Sequence, residues 1–393
     1  MAVMSQPPSS AASVEAVRAA LATVQDPEIR RPITDLGMVE AVRVGGQENP
    51  ELPLGHVQVR VLLTVSGCPL RDTITRDVRA AVLGVAGVTH VDVALGVMSD
   101  DQRRGLKERL RGPQKVIPFA QPGSRTRVYA VASGKGGVGK SSVTANLAVA
   151  MAADGLEVGL LDADIYGHSI PRMLGLEGRR PTMVDGMIMP VPAYGVRVIS
   201  TEMFKPDRAA AVAWRGPMLH RALEQFLTDV FWGDLDVLLL DLPPGTGDVA
   251  ISLAQLLPTA EVLVVTTPQV AAAEVAERAG SIAVQTRQRV AGVVENMAWM
   301  ACPCCGERLE PFGSGGGRTV AAALTRVTGG EVPLLGTLPL DPALRSGADA
   351  GVPVVVSQAD GDAAATLREV ARRLGRRAGS LAGTSLGLAP VRS

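Results

Sequence analysis

A strand-like run, residues 128–132, passes directly into Ser133-Gly134-Lys135-Gly136-Gly137-Val138-Gly139-Lys140-Ser141-Ser142 and from there into a helical stretch containing Val143, Leu147 and Val149. No other stretch limits the possible folds so sharply. Glycines at these places let successive backbone N–H groups turn inward around an anion, and the helix N-terminus adds the positive end of its dipole. Gly134, Gly139, Lys140 and Ser141 stand at the spacing of the phosphate-binding P-loop. Residues Gly134 to Ser142 are therefore read as the cradle of a nucleoside triphosphate, ATP, with Lys140 neutralising the β- and γ-phosphates. The Ser141 hydroxyl is placed to ligate Mg²⁺.

A strand that feeds such a loop implies an α/β layer, and the remainder of the segment agrees. Short apolar runs at 158–161, 237–240, 261–266, 290–294 and 332–338 alternate with helical stretches, which implies a mostly parallel sheet flanked by helices on both faces. Ligands of such sheets lie beyond the carboxyl ends of the strands. The run 158–161 ends in Asp162-Ala163-Asp164, and 237–240 ends in Asp241-Leu242-Pro243-Pro244-Gly245-Thr246-Gly247-Asp248. Each aspartate alone would serve equally as a helix N-cap. Beside a P-loop, Asp241 is the expected second Mg²⁺ anchor, acting through water, and Gly245 the start of a switch that follows the γ-phosphate by its N–H. Asp341 and Pro342 occupy a similar rim position after the last strand. Leu367, Val370, Ala371 and Leu374 read as one face of a closing helix.

The cysteines are Cys68, Cys302, Cys304 and Cys305. Three of them within four positions make a poor disulfide framework and a better metal or redox site. Cys302 and Cys305 have C-x-x-C spacing, and two thiolates so spaced fill half of a four-ligand centre. The simplest completion is a homodimer in which each protomer contributes two thiolates. Spacing does not decide between a [4Fe-4S] cluster and Zn²⁺, nor whether Cys304 substitutes for Cys305.

The remaining features set the boundaries. With 393 residues, 47% of them hydrophobic and 20% charged, the chain is long enough for two domains with substantial cores. Helical spacing of Val14, Val17, Leu21 and Val24, strand-like runs at 56–65 and 88–94, and a helix-like stretch at 70–83 describe a small α+β domain over residues 1–105. Charged and then Pro/Gly-containing residues from about Asp100 to Arg127 read as a connector, with the linker at 106–126. The ATPase domain is expected at 127–375 and a mobile Arg/Gly/Ser-rich tail at 376–393. Lys plus Arg equals Asp plus Glu at 39 each, which argues against a general affinity for nucleic acid or anionic membrane. Residues 1–12 do not read as a signal peptide, and no run approaches the roughly 18 apolar residues of a membrane span. Cytoplasm is the expected location.

Lys-Gly-Gly-Val-Gly-Lys, from Lys135 to Lys140, resembles the deviant P-loop of the MinD, ParA and nitrogenase iron protein group. That likeness implies that Lys135 reaches across a homodimer interface to the partner's nucleotide, so that ATP joins the dimer. It also assigns Asp162 to the Mg²⁺ water shell, Asp164 to orienting the attacking water, and Asn296 to the place where adenine is recognised. Together with Leu161-Asp162-Ala163-Asp164-Ile165-Tyr166-Gly167, Trp214-Arg215-Gly216-Pro217-Met218, and Glu295-Asn296-Met297 leading into Cys302 and Cys305, the segment resembles the Mrp/ApbC group of iron–sulfur cluster carrier ATPases. The resemblance implies a labile [4Fe-4S] cluster at a dimer interface, passed to apo iron–sulfur proteins, with scaffold proteins as further partners. His168, where the group often has Pro, and Cys304 are departures.

The first segment, through Asp26-Pro27-Glu28, Asp35-Leu36-Gly37 and Gly67-Cys68-Pro69-Leu70, resembles the PaaD-like metal–sulfur assembly domain. Cys68 there is either a transient thiolate ligand or a small buried hydrophobe. The competing class is a MinD/ParA-like positioning or partitioning ATPase with a metal staple. Its membrane-anchoring tail helix is hard to build across Gly375, Gly379, Gly383 and Gly387.

Overall fold

The computed structural model describes residues 12–46, 49–64, 70–111, 116–121, 123–164, 167–205, 216–245, 247–269 and 283–375. The chain divides into two compact units, one of residues 1–117, 179–192 and 225–233, the other of 118–178, 193–224 and 234–393.

In the first unit, α1 (Val14–Leu21) starts at Ser13, whose side chain accepts the N–H of Ala16 at 3.1 Å, a helix N-cap. A three-stranded sheet follows, with β1 (Val39–Val44) antiparallel to β2 (His56–Leu63) and β3 (His90–Val97) parallel to β2. Helix α2 (Arg71–Leu83) makes the β2–β3 crossover and buries Ile74, Val78 and Val82. The charged stretch expected as connector begins instead as a helix, α3 (Asp100–Arg111). Its start is a reciprocal cap: Ser99 Oγ accepts the Gln102 N–H at 3.2 Å while Gln102 Oε1 accepts the Ser99 N–H at 2.8 Å. Leu106 supplies the buried contact. Eight charged residues out of twelve, with Leu106 and the partly buried Leu110 as the apolar anchors, leave little periodicity for sequence inspection to find.

Strands β4 (Arg127–Ala132), β5 (Val158–Asp162), β6 (Thr182–Val184), β7 (Met187–Met189), β8 (Val191–Ala193), β9 (Val196–Ser200), β10 (Val237–Asp241), β11 (Glu261–Thr266), β12 (Val290–Ala301), β13 (Arg308–Leu309) and β14 (Leu334–Pro339) complete the strands among the described residues. The antiparallel pair β6–β7 falls within the first unit, where Val184, Met187, Met189 and Phe231 share one core with Val17, Leu21, Ile33 and Val57. Thr182 Oγ1 there donates to Glu28 Oε1 at 3.0 Å. Burial first, and the neighbouring Asp26 carboxylate second, push the Glu28 pKa up from 4.5 to about 7. The fold therefore prefers the protonated acid. Its contribution is complete below about pH 4.5 and is lost as pH rises through 7, at no more than about 1.4 kcal/mol per pH unit. Glu28→Gln is expected to flatten the pH dependence of urea unfolding between pH 5 and 8 and to be the more stable chain at pH 8. An unchanged slope would show that Glu28 does not titrate in that window.

The second unit is built on parallel strands in the order β14-β12-β11-β4-β10-β5-β9. β5 and β10 are buried along their whole length, as an apolar strand covered on both faces must be. Helix α4 (Lys140–Ala153) leaves β4 through the phosphate loop and buries Val143, Ala145, Leu147 and Met151. Short α5 (Ile170–Met173), α6 (Gly216–Asp229), α7 (Asp248–Leu256) and α8 (Gly316–Thr328) connect strands, and α9 (Pro342–Ala350) and α10 (Val354–Ser357) follow β14. The closing helix, α11 (Asp362–Gly375), buries Leu367, Val370, Ala371 and Leu374 as expected and packs on α4 and β14. Tyr129 Oη donates to the Leu374 carbonyl at 2.8 Å, tying the last turn of α11 to the central strand. The sequence expectation of an α/β P-loop fold with a small α+β unit ahead of it holds.

Candidate functional site

Register brings the chemistry together. Asp241, last in β10, pairs with Asp162, last in β5, on one side and with Val131 of β4 on the other. Both carboxylates thus arrive at the strand ends beside the loop that follows β4. In the loop, Gly137 and Gly139 hold φ of 78° and 81°, a left-handed backbone that disfavours side chains. A Cβ at Gly136 or Gly137 would meet nothing within 4 Å, so the loop presents bare backbone to open space, as a phosphate cradle requires.

Lys140 is 6% exposed, and its Nζ lies 2.7 Å from Oδ1 of the fully buried Asp241. Oδ2 of Asp241 accepts the Ser141 hydroxyl at 2.6 Å, and Oδ1 also accepts Thr144 Oγ1 at 2.9 Å. Asp162 accepts Ser200 Oγ at 3.0 Å and the Asp164 N–H at 3.1 Å. Burial, and then the charge of Asp241, push the Asp162 pKa well above the ordinary carboxylate range. Two buried carboxylates thus face one buried ammonium. A divalent cation beside them would favour the ionised forms, so the donor set of Ser141, Asp241 and Asp162 fits Mg²⁺ held partly through water.

Sequence reasoning missed Thr144 and Ser200, whose hydroxyls hold the two aspartates. Thr144 carried a weak signal, being one helical turn beyond Lys140. Asp164 accepts the Gly167 N–H at 2.8 Å and is buried. Lys135 donates to the side chain of Gln269, just past β11. The Gly245 N–H, expected to track a phosphate, is bonded to the Ser133 carbonyl at 2.8 Å, which fastens the β10 end to the loop. Asp341, expected at the rim, caps α9 by accepting the Ala343 N–H at 2.8 Å. Asn296 is buried against the loop itself: Nδ2 donates to the Val138 carbonyl at 2.9 Å, and Oδ1 accepts the Met297 N–H at 2.9 Å.

The reach of Asn296 has a backbone cause. β12 was expected to end at residue 294 but continues to Ala301. Its pairing with β14 slips between Glu295 and Trp299, where Met297 takes φ 57°. Such bulges re-aim a side chain, and here the side chain is Asn296. A Cβ added at Gly139 would collide with Asn296 Nδ2. Gly139→Ala is therefore expected to combine the left-handed penalty of about 1 kcal/mol with displacement of the Asn296 clamp. Nucleotide affinity should drop at least about tenfold in a titration calorimeter; wild-type affinity would mean that loop and clamp shift without consequence.

Beyond the bulge, β12 and β13 form an antiparallel hairpin, Met300 opposite Leu309 and Ala301 opposite Arg308. Its tip carries the cysteines. The Cys302 N–H donates to the Glu307 carbonyl, and the Cys302 carbonyl accepts the Gly306 N–H, both at 2.8 Å. Cys302 is half-buried, while Cys304 and Cys305 are exposed. N–H groups of Cys304 and then Cys305 point at the Cys302 sulfur and hold its pKa below the ordinary thiol value. Arg308 lies over the Trp299 ring at 4.9 Å and braces the hairpin base. Cys68, Ile165, Tyr166, Trp214, Arg215 and Thr246 lie outside the described residues.

A glycine loop issuing from the middle strand of a parallel sheet, with a lysine and a serine turned onto an acid at the end of the neighbouring strand, is the construction of a P-loop NTPase. Comparison with known proteins narrows the class. Residues 124–375 match the NUBPL iron-transfer P-loop NTPase family, and residues 14–93 match an iron-sulfur cluster assembly protein family. An iron-sulfur cluster carrier protein of Mycobacterium tuberculosis is 60% identical over 379 residues, spanning 96% of this chain and 97% of its own. Another, from Deinococcus radiodurans, is 43% identical over 361 residues, spanning 92% and 94%. A nucleotide-binding protein of Archaeoglobus fulgidus, solved in complex with ADP, matches with a TM-score of 0.50 at 36% identity, covering 64% of this chain and 91% of its own. The chain belongs to the NUBPL iron-transfer P-loop NTPase family, with an iron–sulfur cluster assembly domain ahead of it. No helix among the described residues is long and apolar enough to cross a membrane.

Proposed function

We propose that the protein hydrolyses ATP and carries a [4Fe-4S] cluster held between two protomers, releasing it to apo iron–sulfur proteins. The observation that carries this reading is the course of β12: Asn296 clamps the phosphate loop, and six residues later the same strand delivers Cys302 to an exposed hairpin tip. Cys302 and Cys305 of each protomer are the cluster ligands. A thiolate pair on one exposed turn leaves half of a four-thiolate centre to a second copy, and a cargo that must be handed on has to sit at a surface.

On the nucleotide side, backbone N–H groups from Gly134 to Ser142 receive the phosphates, and Lys140 swings from Asp241 to the β- and γ-oxygens. Ser141, with Asp241 and Asp162 acting through water, would hold Mg²⁺, which would supply charge neutralisation at the transferring phosphoryl group. Asp164 orients the attacking water, and Lys135 addresses the nucleotide of the other protomer. Asn296 adds a contact to adenine from its place on the loop. The domain limits that accompany this reading are 1–105, 106–126, 127–375 and 376–393, with the cytoplasm as location.

Anaerobic reconstitution with iron and sulfide, followed by Mössbauer spectroscopy and metal analysis, tests the proposal. About four irons and four sulfides per dimer are expected. Tightly held zinc with no cluster would make the hairpin a structural staple and refute the carrier role.

A further inference from the structure

We propose that His56, His90 and Asp92 form a binding site for one divalent first-row transition-metal ion on the open face of the first unit's sheet. This site is independent of the phosphate loop and of the hairpin cysteines, and the proposal does not rest on the carrier reading.

The site follows from strand register. β2 and β3 are parallel, and His56 stands directly opposite His90. Side chains alternate along a strand, so Asp92, two residues beyond His90, returns to the same face. The ladder continues without interruption from His56–His90 to Leu63–Val97. Both strand starts are also pinned: the N–H groups of Thr89 and His90 share the Gly55 carbonyl at 2.8 and 3.2 Å, and the His56 N–H meets Pro53 O at 3.0 Å. The backbone beneath the three side chains is thus set before any ion arrives.

The donors already converge. Asp92 Oδ2 lies 2.8 Å from His56 Nε2 and Oδ1 lies 3.3 Å from His90 Nε2, with the rings edge to face at 4.5 Å. One ligand atom from each residue falls within 4.8 Å of the others. Around a tetrahedral ion with bonds of about 2.0–2.1 Å, neighbouring ligand atoms stand about 3.3 Å apart, so small χ rotations would place all three on one ion. Two imidazoles and one carboxylate are borderline donors that select Fe²⁺, Co²⁺, Ni²⁺ or Zn²⁺ over the oxygen-seeking Mg²⁺ and Ca²⁺. Side-chain exposures of 19% for His56, 63% for His90 and 53% for Asp92 leave one side of the ion to water or to an incoming ligand. Such an open three-ligand site suits an ion that is taken up and passed on.

The probe is Co²⁺, applied to the full-length chain carrying Cys302→Ser, Cys304→Ser and Cys305→Ser so that hairpin thiolates do not compete. Equilibrium dialysis is expected to show one Co²⁺ bound with the weak visible bands of nitrogen–oxygen ligation. His90→Ala, His56→Ala and Asp92→Asn in the same background should each weaken it about tenfold or more, while excess Mg²⁺ should not displace it. His90 and Asp92 are exposed strand residues, so unchanged circular dichroism and melting will separate ligand loss from misfolding. Absence of Co²⁺ binding, or equal binding by the His90→Ala chain, would overturn the site and leave a surface histidine–aspartate contact.

Discussion

Replacing Lys140 by alanine is expected to lower ATP affinity about a hundredfold or more, because it removes the buried cation proposed to meet the β- and γ-phosphates. The same change has a second consequence that must be separated from the first. Lys140 Nζ sits 2.7 Å from a carboxylate with no solvent exposure, and deleting one partner of a buried pair costs about 3–5 kcal/mol. Part of any loss of binding in Lys140→Ala would then reflect a destabilised loop. The double variant Lys140→Ala/Asp241→Asn resolves this: the amide still accepts from Ser141 or Thr144 but no longer needs a counter-charge. Thermal stability should recover substantially in the double variant while nucleotide binding, measured without Mg²⁺ so that the loss of Asp241 as a metal anchor does not enter, does not. Recovery of ATP affinity along with stability would show that the lysine acts only as structural support for Asp241.

Cys302→Ala is expected to reduce iron in the reconstituted protein from about four per dimer to background while leaving ATP affinity unchanged. Of the three hairpin thiols, Cys302 alone is half-buried, with backbone N–H groups of Cys304 and Cys305 aimed at its sulfur. Those donors favour the thiolate, the form that binds metal. Cys305→Ala should match Cys302→Ala, and Cys304→Ala should keep its iron. The reverse order for Cys304 and Cys305 would transfer the second ligand to Cys304. Normal iron content in Cys302→Ala would end the assignment of this hairpin as the cluster site. ATP affinity is the control, because the hairpin lies beyond the bulge at Met297 rather than in the phosphate loop.

The nucleotide half of the site was legible because it is local. Gly134 to Ser142 is a continuous stretch whose backbone geometry follows from glycine placement, and four apolar residues before Asp241 are enough to end a buried strand on an acid. The closing helix could be read for a similar reason: Leu367, Val370, Ala371 and Leu374 repeat at helical spacing and are all buried. Helix α3 could not, since it rests on a two-residue cap and only two leucines, Leu106 and the partly buried Leu110, among eight charged residues. Asp341, read from sequence only as a rim residue after the last strand, has a partner that its position did not reveal: its carboxylate accepts the Ala343 N–H.

Sequence alone determined the class of fold, the phosphate loop with its lysine and serine, and the acids at the strand ends, because each follows from steric or polar rules acting over a few residues. Tertiary structure decided what meets what across long separations. Thr144 and Ser200 fix the two aspartates, and residues 179–192 join a core built mainly from the first 117 residues. A bulge in β12 turns Asn296 onto Gly139, and strand register alone sets His56 against His90. Pairing between distant strands is settled by whole-sheet burial and register, and a shift of one residue would send the side chains of a shifted strand to the opposite face.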